Sequence, residues 1–135
     1  MIQEDQEILL IDLCARLPYE IMVKVNDTQG IIDKIDISNE RIFVTGLNPF
    51  LYGGAKAHWF TVNGDKIYPY LRPMSSMTEE EREEYDNWHL ELESGRIKDW
   101  KIADYINWLN SHHFDYHGLI EKGLALEAPE GMYNV

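Results

Sequence analysis

Apolar residues recur near the start of the chain at the spacing of an amphipathic helix. The i, i+3, i+4, i+7 stripe consists of Leu10, Leu13, Cys14 and Leu17. Acidic residues precede it, where the positive end of a helix dipole would favour them. Pro18 has no backbone N–H and cannot continue an α-helix. The pattern therefore predicts an N-terminal helix that ends near Pro18, with Cys14 in its core-facing stripe.

After Pro18 the apolar spacing changes to two, which is the side-chain period of a β-strand. Five short runs show it between Tyr19 and Leu71: YEIMVKV, IIDKIDIS, RIFVT, KAHWFTV and KIYPYL. Asn63-Gly64 separates the last two runs, and Asn-Gly between extended segments is typical of a β-hairpin. Pro69 cannot donate to a strand ladder, so the fifth strand is predicted at a sheet edge or a bulge.

The helical period returns in the second half of the chain. Thr78 followed by Glu81 forms a capping box, which predicts a helix that begins there and ends at Ser94-Gly95. A second helix is predicted over RIKDWKIADYINWLNSHH. The glycines and prolines of the remaining segment predict short turns or a docked tail.

Together these elements predict a single α+β domain over residues 1–135. It would contain an N-terminal helix, about five short antiparallel strands in a small bent sheet or an SH3-like barrel, and two C-terminal helices. A hydrophobic content of 44% exceeds that of disordered acidic chains. Cys14, the only cysteine, cannot form an intramolecular disulfide. The acidic start and the short apolar run Ile8–Ile11 predict a cytoplasmic protein without membrane attachment.

The chain is strongly acidic. It has 24 Asp and Glu against 12 Lys and Arg, a formal net charge of −12. Such a charge repels phosphate backbones and anionic lipids, which disfavours direct binding to nucleic acid or membranes. It favours solubility, or an acidic surface for a basic protein partner such as one that handles nucleic acid. Composition leaves both interpretations open, and it leaves the oligomeric state open as well.

Two segments are candidate binding surfaces. Glu80, Glu83 and Glu84 lie in the acidic first turns of the predicted helix after Thr78, where such a run also serves as an ordinary solvated face. Phe50 and Tyr52 lie in the irregular Asn48–Gly54 loop, and loops with accessible aromatic residues often carry recognition. The alternative is that these rings fold back over the end of the sheet.

Three histidines and an aspartate fall within the segment SHHFDYHGLI. On a helix, His113 and His117 would share a face at a spacing that zinc sites use, while in an extended chain Asp115 would join them. These geometries need incompatible backbones, and no HExxH motif is present. A simpler interpretation makes His112 and His113 the end of the last helix, with Gly118 turning the chain. We therefore expect no metal or other cofactor.

The segments WLNSHHFDYHGLIEKGLALEAPEGMY and YPYLRPMSSMTEEEREEY cover about a third of the chain. In these segments the chain resembles a family of small uncharacterised proteins of gut bacterial genomes, often in prophage or mobile-element regions. The resemblance implies a bacterial cytoplasmic protein linked to mobile elements. It implies no catalytic residues, because the family has no assigned activity.

Three functional hypotheses remain. The first is a non-enzymatic interaction or accessory module whose acidic surface engages a basic, nucleic-acid-handling protein. The second is a small metal-dependent enzyme that uses His112, His113, Asp115 and His117. The third is a structural protein of a phage particle or another complex, which would form stable homo-oligomers.

Overall fold

The chain follows the predicted order of a helix, a run of strands and two further helices. A computed structural model describes residues 2–133; Met1, Asn134 and Val135 of the predicted domain lie outside the described residues. The helices are α1 (Gln3–Arg16), α2 (Glu79–Glu93) and α3 (Asp99–Ser111). The strands are β1 (Met22–Val25), β2 (Thr28–Asp36), β3 (Arg41–Thr45), β4 (His58–Thr61), β5 (Ile67–Leu71) and β6 (Leu126–Glu127). The α+β prediction is confirmed.

The strands form one open sheet in the order β4-β3-β2-β1-β5-β6. β1 to β4 are an antiparallel meander, β5 returns to pair with β1, and β6 runs parallel to β5. β4 and β6 are the two edges and do not pair, so the sheet does not close into the alternative barrel. β6 is too short to show a strand period in the sequence.

Asn63-Gly64 does not make the predicted hairpin. β4 pairs with β3, and β5 pairs with β1. The amide N–H of Lys66 donates to the Asn26 side chain at 3.0 Å, and the Asn26 amide donates to the carbonyl of Lys66 at 2.8 Å. These bonds carry the chain away from β4 to the end of β1. β5 is not the predicted edge strand, because β6 pairs with its last two residues, but Pro69 itself pairs only with β1.

The core-facing side of α1 differs from the predicted stripe. Leu9 and Leu13 are fully buried in the main apolar cluster, whereas Cys14 is only half-buried. Asp12 and Arg16 take the other two buried positions of the helix. The buried face is thus rotated by about one residue, because Asp12 and Arg16, which pair with each other, occupy part of it.

A buried ion pair ties α1 to the segment after α3. Arg16 Nε lies 2.6 Å from Asp12 Oδ1, and both side chains are fully buried. Arg16 Nη2 also donates to the carbonyl of Phe114 at 2.6 Å, and His117 Nδ1 lies 2.7 Å from Asp12 Oδ2. Burial raises the pKa of Asp12, but the hydrogen bonds of His117 and Arg16 outweigh it and lower that pKa overall.

α2 and α3 form a helical hairpin that is buried only at its base. Within α2 the buried residue is Glu81, and within α3 the buried residues are Leu109 and Asn110 at the C-terminal end. The aromatic pairs between the two helices converge on Tyr105, which Trp88 approaches to 5.7 Å between ring centroids. The outer parts of the hairpin therefore contact solvent on most sides.

Among residues 2–133, no helix has both the length and the apolar character needed to cross a membrane.

We predict that Asp12→Ala lowers the free energy of unfolding by about 3–5 kcal/mol, because it leaves the Arg16 guanidinium buried without its counter-charge. Glu91→Ala, which breaks the exposed pair of Glu91 with Lys101 at 3.2 Å, should cost less than about 1 kcal/mol. Urea unfolding followed by circular dichroism measures both. Equal losses in the two variants would contradict the structural role of the buried pair.

Candidate functional site

A cavity of about 480 Å³ lies at the base of the α2–α3 hairpin. Its walls come from the start of α2, the end of α3, the end of β5, the turn before β1 and the C-terminal tail. The lining residues are Tyr19, Glu20, Arg72, Thr78, Glu80, Glu81, Glu84, Ser111, His112, His113, Met132 and Tyr133. The acidic helix and the histidine segment, both noted in the sequence, therefore meet in one place.

Arg72 holds the floor of the cavity together. Its guanidinium makes two hydrogen bonds to the Glu81 carboxylate, at 2.7 and 2.8 Å, and both side chains are buried. The same group donates to the carbonyls of His112 at 3.2 Å and Ser76 at 3.3 Å. Its backbone N–H donates to the carbonyl of His113 at 2.8 Å. One side chain thus joins the end of β5, the start of α2 and the end of α3.

Glu81 is fixed locally as well. Thr78 Oγ1 accepts from the Glu81 amide at 3.2 Å, and Glu81 Oε1 accepts from the Thr78 amide at 2.9 Å, so the predicted capping box is confirmed. Burial raises the pKa of Glu81, but the hydrogen bonds from Arg72 and the Thr78 amide outweigh it and lower that pKa to about 2. Glu81 is therefore a carboxylate at neutral pH.

His113 forms part of the cavity wall in an unusual backbone conformation. Its φ of +62° lies in the left-handed region, and its side chain stacks on Tyr133 with ring centroids 3.7 Å apart. Only 9% of the residue is exposed, and Nδ1 has no hydrogen-bond partner among residues 2–133. Burial, with the nearby charges of Arg16 and Arg72, lowers the pKa of His113 to about 4. The ring is therefore neutral at pH 7.

Tyr133 fixes the C-terminal tail against the sheet. Its hydroxyl accepts from the Met22 amide at 3.0 Å and donates to the carbonyl of Tyr70 at 2.8 Å. Burial raises the pKa of Tyr133 to about 12, so the hydroxyl keeps its proton. This anchoring gives the His113 ring a rigid partner to stack on.

The alternative metal ligands point to different partners. Asp115 accepts from the amides of Leu119 at 2.8 Å and Ile120 at 2.9 Å, while His117 bonds Asp12 and His113 lines the cavity. In the part of the chain that the structure describes, no three His, Cys, Asp or Glu side chains are placed to hold a metal ion.

The predicted helix end is confirmed. α3 ends at Ser111, and His112 Nδ1 lies 2.9 Å from the carbonyl of Trp108 in the last turn. Gly118 then turns the chain with a φ of +71°, which favours glycine. His112 and His113 nevertheless differ in role, because only His113 is buried against the tail.

The two aromatic residues of the Asn48–Gly54 loop differ in their exposure to solvent. Phe50 is 96% exposed, whereas Tyr52 is half-buried and stacks on His58 with centroids 5.5 Å apart. Tyr52 thus covers the sheet, and only Phe50 is available for recognition. The loop joins β3 to the edge strand β4, while Glu80, Glu83 and Glu84 lie in α2, which follows β5. The predicted binding residues therefore belong to two separate surfaces.

Sequence reasoning missed Arg72, Glu20 and Tyr133 as parts of the site. None lies in a periodic stripe or a motif that indicates chemistry. The only sequence signal is the position of Arg72 shortly before the capping box, where a cation can reach a buried carboxylate on the first helical turn.

Comparison with known proteins assigns neither a family nor a function to this chain. No family model, no curated protein and no solved structure matches this chain.

We predict that acid destabilises the wild-type protein between pH 6.5 and 4 partly through His113. The unfolded residue binds a proton near its ordinary pKa of 6.5 and the folded one only near 4, so falling pH favours the unfolded chain. The stability difference between wild type and His113→Asn should change by about 3 kcal/mol over this window. Asparagine tolerates the positive φ.

Urea unfolding at a series of pH values measures that difference. A direct check follows the His113 ring by proton NMR, where its titration midpoint should lie near 4. A midpoint at 6.5 or above would contradict the buried, neutral state of the ring.

Proposed function

We propose that this protein is a non-enzymatic interaction module that binds a basic protein through its α2–α3 hairpin. The observation that carries the proposal is the set of α2 carboxylates that face solvent without a cation from the described part of the chain. The partner class it fits is a protein that handles nucleic acid, because such proteins carry basic surfaces that accept dense negative charge.

The charge of α2 is concentrated and largely uncompensated. The helix has eight carboxylates and one guanidinium, a net −7 of the chain's −12. Arg72 neutralises Glu81, and Lys101 pairs with Glu91. The other carboxylates are exposed: Glu79, Glu80, Glu83, Glu84, Asp86 and Glu93. Such a face attracts a basic surface over about 10 Å at physiological salt.

Exposed apolar side chains lie on the same hairpin. Leu90 is 66% exposed and Trp100 is 58% exposed. Interfaces take most of their binding energy from a few large residues, with Trp among the commonest, while charged residues at the rim steer association. The hairpin offers both kinds of group, which supports a folded protein partner over a loosely held polycation.

The base of the hairpin presents this surface rigidly. The buried Arg72–Glu81 pair fixes the first turn of α2 to the sheet, and Trp108 Nε1 donates to Glu84 at 2.5 Å across the two helices. Ordering costs on binding are smaller for a surface that is already fixed. Phe50 at the β4 edge is a second, separate contact in this proposal.

The proposal includes a bacterial cytoplasmic location, which suits the lone thiol of Cys14. The metal-enzyme hypothesis is less well supported. It needs histidine and aspartate side chains that converge, but among residues 2–133 these side chains point to different partners. Assembly into a phage particle differs by requiring stable self-association.

We predict that affinity capture from the native cell retrieves a basic protein that is released as salt rises from about 0.05 to 0.5 M, since exposed charges are screened. The purified pair is then compared with the triple variant Glu79→Gln, Glu83→Gln, Asp86→Asn. Its affinity should fall at least about tenfold, which is about 1.4 kcal/mol.

The matched control removes three exposed charges elsewhere, by Glu4→Gln, Glu7→Gln and Asp27→Asn. It should keep its affinity within about twofold, because net charge alone acts weakly at physiological salt. Recovery of the protein alone as a large homo-oligomer, or equal losses in both triple variants, would rule the proposal out.

A further inference from the structure

Most of the α2–α3 hairpin lies at the surface of the molecule. From residue 82 to residue 108, a stretch that the structure describes throughout, no residue is buried. Helices of this length are marginal in water on their own, and packing of an apolar face normally supplies most of their stability. The outer part of the hairpin is therefore a helical surface that another protein segment can cover.

A groove lies between the two helices of this hairpin. Its volume is about 340 Å³, and its lining is mainly apolar because the rings of Trp88 and Trp108 face it. The remaining lining residues are Glu84, Asn87, Glu91 and Lys101. We call this feature the tryptophan groove.

Two contacts between the helices frame the tryptophan groove. Trp108 Nε1 donates to Glu84 at 2.5 Å near the base of the hairpin, and Lys101 Nζ lies 3.2 Å from Glu91 near its tip. Trp88 comes between Glu84 and Glu91 along α2, so its ring lies between the two contacts. Because the groove is already formed, binding in it has a smaller ordering cost.

The shape of the tryptophan groove suits a third helix. Two adjacent helices present a groove into which a ridge of side chains from another helix packs, as in helical bundles. Such recognition uses apolar anchors at i, i+3, i+4 and i+7 on the incoming helix. Tryptophan is among the residues that contribute most to protein interfaces. A third helix would cover the half-buried rings of Trp88 and Trp108, which solvent still contacts.

The charge around the tryptophan groove selects a basic helix. Glu84 keeps its negative charge, because its partner Trp108 is neutral, whereas Glu91 is paired with Lys101. The whole of α2 has a net charge of −7. A helix with apolar residues on one side and lysine or arginine beside them complements both the rings and this charge. An acidic helix would meet like charge and is disfavoured.

We propose that the tryptophan groove binds an amphipathic, basic α-helix of the partner. Apolar residues of that helix pack on Trp88 and Trp108, and its lysine or arginine residues face the carboxylates of α2. The origin of the helix rests on the proposed function; the inference adds which kind of segment binds and where. Glu79, Glu83 and Asp86 do not line the groove, so the two contacts can be tested separately.

The test uses a synthetic peptide and needs no partner. The probe has about 18 residues, with leucine at i, i+3, i+4 and i+7 and lysine elsewhere, so that it can form an amphipathic helix when bound. It contains no aromatic residue, so all tryptophan fluorescence comes from the protein. We expect a Kd of about 10 μM and a blue shift of the emission as Trp88 and Trp108 lose contact with water.

Two control peptides separate the groove from charge alone. A peptide of the same composition in scrambled order keeps the charge but loses the leucine stripe, and it should bind at least about tenfold more weakly. A peptide with glutamate in place of lysine keeps the stripe and reverses the charge, and it should lose at least as much affinity. Equal binding of the scrambled peptide would overturn the inference, because the attraction would then be that of any polycation.

Matched variants locate the binding. Asn87→Arg places a cation and a longer side chain in the groove lining, so the probe should bind at least about tenfold more weakly. Asn107→Arg adds the same charge at an exposed position of α3 outside the groove, and affinity should change by less than about twofold. The fluorescence shift should persist in Trp59→Phe, on the sheet, and diminish in Trp88→Phe. Equal losses in the two asparagine variants would contradict binding in the groove.

Further outcomes keep this inference distinct from the proposed function. If the basic partner binds the Asn87→Arg variant normally but not the Glu79/Glu83/Asp86 variant, the proposed function stands and this inference fails. If the peptide binds in the groove but no basic partner is recovered, the groove remains a site for a basic helix and the proposed function fails. A dimer that light scattering detects without peptide, and that Asn87→Arg abolishes, would overturn the inference by assigning the groove to a second copy of the chain.

Discussion

The bidentate ion pair between Arg72 and Glu81 is the contact on which the site depends. It brings a carboxylate of the first helical turn of α2 to a guanidinium at the end of β5, and that guanidinium also bonds the carbonyl of His112 after α3. Both charges are buried, so removing either would leave the other without compensation. The position of the whole hairpin, and of the cavity beneath it, follows from this pair.

A second buried pair repeats the arrangement on the other side of the histidine segment. Asp12 and Arg16 join α1 to the Phe114 carbonyl and to His117. The histidine segment is therefore fixed between two buried arginines, one from α1 and one after β5. This accounts for its unusual features, because His113 is forced into a left-handed conformation and stacked on the tail.

These interior pairs also shape the outer surface. With Arg16 and Arg72 committed inside, the acidic face of α2 has few cations to neutralise it, and Arg82 lies over the ring of Tyr85. The remaining carboxylates of α2 are exposed to solvent, and the exposed apolar side chains of Leu90 and Trp100 lie on the same hairpin. A partner that presents basic side chains around an apolar patch would match both features.

Local signals in the sequence determined the elements. The Thr78–Glu81 capping box, the end of α3 at the histidines and the turn at Gly118 each depend on residues within a few positions, and each is found as predicted. The α+β class likewise follows from the change of period along the chain. Non-local pairing decided the rest. Asn63-Gly64 does not form a hairpin, because two hydrogen bonds between Asn26 and Lys66 direct the chain to β1.

Two further features, the buried face of α1 and the cavity, could not be predicted from local sequence signals. Asp12 and Arg16 face the core because their partners lie about a hundred residues further along the chain. The cavity needs five separate segments to meet. The helices, the acidic segment and the strands other than β6 can be recognised in the sequence, since those properties are local. Which charges are neutralised in the interior and which face solvent depends on contacts between distant residues, so it emerges only in the folded chain.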